Sequence, residues 1–282
     1  MKISIVTINY NNVEGLRKTL DSVAAQTYRD IEHIIVDAAS FDGSVEVIKE
    51  YADTSKHTVI WSSEQDKGIY DGMDKGIKKA TGDYVQILNS GDILATPDVT
   101  ERMVAALSDE IGILYGSMIR DFGNGKLSKD VCLGERVGKI AQATEVEWTM
   151  DDFIKGTVNH DPTYIHRSLY EKYGLYDENL KICSDWKWFV KAVVFGGEKL
   201  YYVPIDVTIF DTTGISETNL ELREKERHAE LEKMLPAAIL KDYDRYHFPI
   251  SQYKRLKKYH LWPIVYFMER VLFKLNKWGV LR

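Results

Sequence analysis

The chain has 282 residues, 44% of them hydrophobic and 28% charged. That is the composition of an ordinary globular protein, with one large domain or a domain plus an appendage. A net charge of −6 offers no global case for nucleic-acid binding, which needs a basic face. Cys132 and Cys183 are far apart, form no metal knuckle or redox dithiol, and suit a reducing compartment.

Residues 1–120 alternate strand and helix. The run Ile3-Ser-Ile-Val-Thr-Ile8 is too short for the core of a secretion signal and reads as a strand buried on both faces. Asn11 and Glu14 have the spacing of a helix cap, and Leu16, Leu20, Val23 and Ala24 follow at helical period. Strands are expected at 31–37, 58–61 and 84–88, with helices marked by Val45, Ile48 and Ala52 and by Ile69, Met73, Ile77 and Ala80. Thr96-Pro97 is expected to open another helix, with Pro at the first position. The alternation predicts a mostly parallel, doubly wound α/β sheet, whose ligands bind at the carboxyl ends of the strands.

Residues 121–218 break that rhythm. Phe122-Gly-Asn-Gly-Lys126 reads as a turn between antiparallel strands. Helices are expected at 167–173 and 185–195, each ended by glycine (Gly174, Gly196), and an extended segment at 199–210. Residues 219–282 form a helical extension in which Thr218 and Glu221 have capping-box spacing. Residues 251–282 carry eight Lys/Arg against one acid, Glu269, interleaved with Leu261, Ile264, Val265, Met268, Leu272 and Leu275. Such a tail can lie on an anionic membrane face, pack as a final helix, or make a homodimer contact. No apolar run approaches the roughly 20 residues of a membrane span. The expectation is a cytoplasmic protein, with peripheral contact at the inner membrane face as one outcome for the tail.

Four strand ends carry concentrated polar residues: Thr7-Ile-Asn-Tyr-Asn-Asn12, Asp37-Ala-Ala-Ser-Phe-Asp-Gly-Ser44, residues 64–76, and Leu88-Asn-Ser-Gly-Asp92. Together and in this order they resemble the family-2-type inverting glycosyltransferases of the A-type glycosyltransferase fold, over roughly residues 1–215. The resemblance implies transfer of a sugar from a UDP- or dTDP-linked donor to a hydroxyl of a glycan or lipid-linked acceptor. It assigns Asp37 to the imide of the nucleobase, and Thr7, Asn9, Tyr10 and Asn89 to the donor. Asp66, Lys67, Tyr70 and Asp71 would line the nucleotide and sugar pocket. Asp92 would hold Mg2+ or Mn2+, because a departing nucleoside diphosphate needs a hard cation with oxygen ligands. The chain departs from the family's acids at Ala38, Asn89 and Gly91, so metal binding would lean on Asp92 with diphosphate and water.

Two further segments, His160-Asp-Pro-Thr-Tyr164 and Ile182-Cys-Ser-Asp-Trp186, are similar to the family's acceptor-side elements. They imply Asp185 as the catalytic base, with His160 and Trp186 on acceptor or phosphate. Asp185 follows Ser184, a helix-capping residue type, and a helix's first turn favours the ionised carboxylate that a base requires. A nucleotidyltransferase would want a Gly-rich basic loop where Asn9-Tyr-Asn-Asn12 stands. A nicotinamide dehydrogenase would want G-x-G-x-x-G there. A non-catalytic sugar-nucleotide-binding module remains open from sequence.

Overall fold

A computed structural model describes residues 1–123, 126–129, 142–243, 245, 258–260 and 262–277. Cys132, Leu261 and the basic stretch 251–257 lie outside them. The chain forms two compact units, Met1–Glu226 and Arg227–Arg282.

The first unit is built on one ten-stranded sheet, with the order β3-β2-β1-β4-β9-β6-β10-β5; β7 pairs with β6 and β8 with β10. The strands are β1 (Ile3–Asn9), β2 (Ile31–Asp37), β3 (Thr58–Ser63), β4 (Tyr84–Ile87), β5 (Ile93–Leu94), β6 (Ile113–Asp121), β7 (Leu127–Lys129), β8 (Thr144–Val146), β9 (Thr163–His166) and β10 (Leu200–Asp211). β3, β2, β1 and β4 run parallel. β9 then enters antiparallel between β4 and β6, and β10 pairs parallel with β6. Strands from 1–120 and 121–218 therefore share one sheet. β1 and β2 are buried nearly throughout because helices cover both faces. The edge strand β3 is only half-buried.

The helices in this unit are α1 (Val13–Ala24), α2 (Ser44–Thr54), α3 (Ile69–Lys79), α4 (Val99–Ala105), α5 (Met150–Lys155), α6 (Ser168–Tyr173), α7 (Ser184–Phe189) and α8 (Ile215–Thr218). α7 continues as a π-helical turn, Val190–Phe195. α9 (Leu220–Met234) follows α8; the second unit contains a helix at 237–243 (α10) and α11 (Trp262–Lys277). Apolar residues of α1 and α2 (Leu16, Leu20, Val47, Ile48) close over Ile35. The larger core runs from Ile3 and Ile5 through Tyr84 and Tyr164 to Val203 and Val207.

Four expected helix starts move. The cap of α1 is Asn12, whose Oδ1 accepts from Gly15 N at 3.2 Å; Asn11 instead has a left-handed φ of 46° and accepts from Phe41 N. α4 begins at Val99, two residues after Pro97. Cys183 rather than Ser184 caps α7. Thr218 ends α8 and donates to Gly214 O instead of capping α9. In each case a local hydrogen bond or a tertiary tie displaced the cap that spacing suggested.

α3 lies against β1 so closely that a Cβ on Gly76 would stand 2.2 Å from Val6 Cγ1. Gly76→Ala gains about 1 kcal/mol of helix propensity but overpacks a tight contact at a cost of about 1–3 kcal/mol. The expected result in urea unfolding is a net loss of up to about 2 kcal/mol. A stabilised variant would contradict this packing.

Candidate active site

The parallel register sets Asn9, Asp37 and Ser63 side by side across β1, β2 and β3. Asn9 Nδ2 donates to Asp37 Oδ1 at 2.8 Å, and Ser63 Oγ and Ser40 N donate to Oδ2 at 2.6 and 2.9 Å. Asp37 is fully buried with both oxygens engaged. Asp37 thereby organises the loops at the ends of β1 and β2. The loops after β1 and β2 are further joined by Asn11 N to Ser40 Oγ and Val13 N to Asp42 Oδ2, both 2.8 Å. The buried hydroxyl of Thr7, expected on the donor, meets His33 Nε2 at 2.9 Å inside the sheet. Tyr10, 64% exposed, is the donor-side residue from β1 whose ring remains open.

The start of α3 is shaped by its own acids. Gly68 N donates to Asp66 Oδ1 and Lys67 N to Asp71 Oδ2, with Gly68 at φ 140°, a conformation that suits glycine. Asp71 also pairs with Lys75 at 3.2 Å. Lys67 stays at the rim, 77% exposed, paired with Glu178 at 3.0 Å. Burial raises the pKa of Asp66 and the carboxyl stays partly open. Tyr70 turns the other way. It is 4% exposed, donates to Ile182 O at 2.5 Å and lies 3.0 Å from Asp185 Oδ1. Tyr70 therefore belongs with the expected base and not with a donor pocket.

Around Asp185 the two parts of the sheet meet. His160 Nδ1 donates to Asp185 Oδ2 at 3.1 Å; its Nε2 lies 3.1 Å from the Asn89 amide and 3.4 Å from Asp161 Oδ1. Burial opposes charge on His160, but Asp161 and Asp185 outweigh it and raise its pKa to about 9. A protonated imidazole donates at both nitrogens. As placed, Asn89 turns Nδ2 toward Nε2 and leaves its buried oxygen unpartnered; a flipped amide would give both that oxygen and the protonated ring a partner. For Asp185, burial favours the neutral acid, yet His160 holds it ionised below the usual carboxylate range. Trp186, expected on the acceptor, is 1% exposed and its indole donates to Phe153 O at 2.7 Å within the core.

Asp92 sits below a turn, Asn89-Ser-Gly-Asp92, in which Gly91 takes φ 108° and Asp92 N reaches Asn89 O at 3.0 Å. That φ explains why glycine stands where the family has an acid. Asp92 is 3% exposed and Oδ1 accepts from Asp211 N at 2.9 Å. Burial first, then the charge of Asp161, push its pKa well above the usual range. Among the described residues, no three acidic, His or Cys side chains enclose a metal by themselves. An oxygen-only carboxylate facing a second buried carboxylate still fits a hard cation, with diphosphate and water completing its shell.

Comparison with known proteins decides the family. The family model described as "Glycosyl transferase family 2" matches residues 4–170. The chain belongs to glycosyl transferase family 2. An uncharacterized glycosyltransferase of Mycobacterium tuberculosis is 32% identical over 222 residues, covering 76% of each chain. A PGL/p-HBAD biosynthesis glycosyltransferase of Mycobacterium bovis is 24% identical, over 67% of this chain and 68% of its own. The A-type glycosyltransferase fold is shared with S. aureus TarS 1-349 in complex with UDP-GlcNAc, at TM-score 0.60 and 18% identity over 75% of this chain and 58% of that one. It is shared also with the Pyrobaculum calidifontis mannosyltransferase PcManGT in complex with GDP-Man and Mn2+, at TM-score 0.57 and 18% identity over 74% of this chain and 56% of that one.

Three further residues of this family-2 enzyme matter to the site, and for two of them, Asp161 and Glu226, the sequence carries no clear signal. Asp161 is buried between His160 and Asp92. Asp211 ends β10 and ties its backbone to Asp92. Glu226, in α9, accepts the N–H groups of Lys181, Ile182 and Cys183 at 2.8, 3.0 and 3.1 Å. One carboxylate thus fixes the approach to Asp185 from the outside while Tyr70 fixes Ile182 O from within. A glutamate in a charged helix looks like a solvated face, so only the fold reveals this tie.

The His160 pair makes stability depend on pH. Its folded pKa near 9 lies above the usual 6.5, so the gain is complete below about pH 6.5 and lost as pH rises through 9. Urea unfolding should show the native protein losing about 2–3 kcal/mol more than His160→Gln between pH 6.5 and 9.5. Equal slopes would contradict the charged pair.

Proposed function

We propose that the chain transfers a sugar, with inversion, from a UDP- or dTDP-sugar to a hydroxyl of a glycan or lipid-linked glycan, with a divalent cation at Asp92. The observation that carries the reading is Asp185: ionised by His160, 13% exposed, and linked through His160 and Asn89 to the loop that bears Asp92. In the reaction the acceptor oxygen forms a bond to the anomeric carbon as the bond from that carbon to the diphosphate oxygen breaks. The hydroxyl proton passes to Asp185, on the face opposite the leaving nucleotide.

His160 keeps the carboxylate charged before the step. Tyr70 supports it in both states. Its one proton can face Oδ1 of the carboxylate, or remain on Ile182 O while a protonated Asp185 donates to the phenol oxygen. Mg2+ or Mn2+ would neutralise charge on the diphosphate. The donor side is formed by the loops that Asp37 and Asn9 organise, with Tyr10 open to a nucleobase and Asp66 and Lys67 at the rim. Solved structures of the same fold with UDP-GlcNAc and with GDP-Man and Mn2+ support a nucleoside-diphosphate sugar and a cation. The Mycobacterium bovis relative, named for PGL/p-HBAD biosynthesis, supports a glycolipid or glycan acceptor. We place the reaction in the cytoplasm, in keeping with the cysteine usage.

Asp185→Asn keeps the shape and removes the base. Transfer turnover, or slow donor hydrolysis where no acceptor is known, should fall by about 10²–10⁴, while nucleotide affinity stays within about twofold. Unchanged turnover would contradict the assignment of Asp185. No turnover in either protein, with intact nucleotide binding, would favour a non-catalytic sugar-nucleotide-binding module.

A further inference from the structure

The second unit carries an amphipathic helix that the site does not use. In α11, Ile264, Met268 and Leu272 recur every four residues and Phe267 lies three after Ile264, so all four share one side. They are 57%, 57%, 49% and 68% exposed. Apolar side chains aligned in this way are stabilised when covered, so this side is poised to be covered. Tyr259 and Tyr266, 58% and 50% exposed, carry Lys258 and Arg270 over their rings at 5.6 and 5.8 Å.

Charge selects the cover. Residues 251–282 hold eight Lys/Arg and one acid, although the whole chain is net acidic. A second copy of the same segment would bring like charges together. An anionic lipid surface offers apolar depth for the Ile264–Leu272 side and opposite charge for the rest. Among the described residues no helix is long and apolar enough to cross a membrane. A helix of 16 residues with aromatic and basic flanks instead lies in the plane of the interface. We propose that α11 docks the protein in plane on anionic lipid, independently of the sugar chemistry assigned above.

Flotation of the full chain with phosphatidylcholine vesicles, with and without phosphatidylglycerol, tests this. The bound fraction should be about tenfold higher with phosphatidylglycerol and should fall as salt rises. A Phe267→Glu, Met268→Glu double variant should lose about tenfold in binding. A Lys258→Glu, Arg270→Glu variant, which keeps the apolar side, should lose the preference for anionic vesicles, so the test survives misfolding of either variant. Absent or lipid-indifferent flotation of the native chain overturns the proposal. So does undiminished binding of the folded apolar variant, or a dimer by light scattering that this variant dissociates while the native chain ignores vesicles.

Discussion

One buried imidazolium governs the site. His160 stands between Asp185 on one side and Asp161 and Asn89 on the other, and Asp161 in turn faces Asp92. Water is nearly absent there, so each carboxylate needs a positive charge, a donor or a proton. His160 supplies charge to Asp185 and ionises it. Among the described residues no Lys or Arg pairs with the other two carboxyl groups, and burial with the charge of Asp161 pushes Asp92 toward its neutral form. A cation there, as proposed, would reverse that condition.

The sheet explains why these groups meet. β9 enters antiparallel between β4 and β6, carrying the His160–Asp161 segment that precedes it to the end of β4 where Asn89 and Asp92 lie. β10 brings Asp211 to Asp92, and α9 returns Glu226 to the segment before Asp185. Donor-side and acceptor-side residues are therefore not on separable domains. They hang from one continuous set of strands, and a displacement of β9 would move the base partner and the metal loop together.

Much of this was legible from the sequence. The alternating elements, the ordered polar strand ends and the position of Asp185 in a helix first turn follow from local period and loop chemistry. What spacing does not give is the direction of individual side chains. Thr7 and Trp186 lie in motifs that suggest ligand contact; one meets His33 and the other Phe153 O within the core. Asp37 is held by Asn9 and Ser63, its neighbours in register. Tyr70 meets Ile182 O and Asp185, more than 100 positions away. Such contacts join separate elements of the fold, beyond the reach of local period. Glu226 illustrates the converse: an unremarkable acid gains a role only once three amides are folded against it.

The central claim is a nucleoside-diphosphate site whose metal depends on Asp92. Calorimetric titration of the purified chain with UDP, dTDP, GDP and CMP, each with and without Mn2+, tests it most directly when repeated with Asp92→Ala. UDP or dTDP should bind, binding should require Mn2+, and Asp92→Ala should abolish it while the protein remains folded. Metal-independent binding that survives Asp92→Ala, or no binding of any nucleotide by the folded chain, would contradict it.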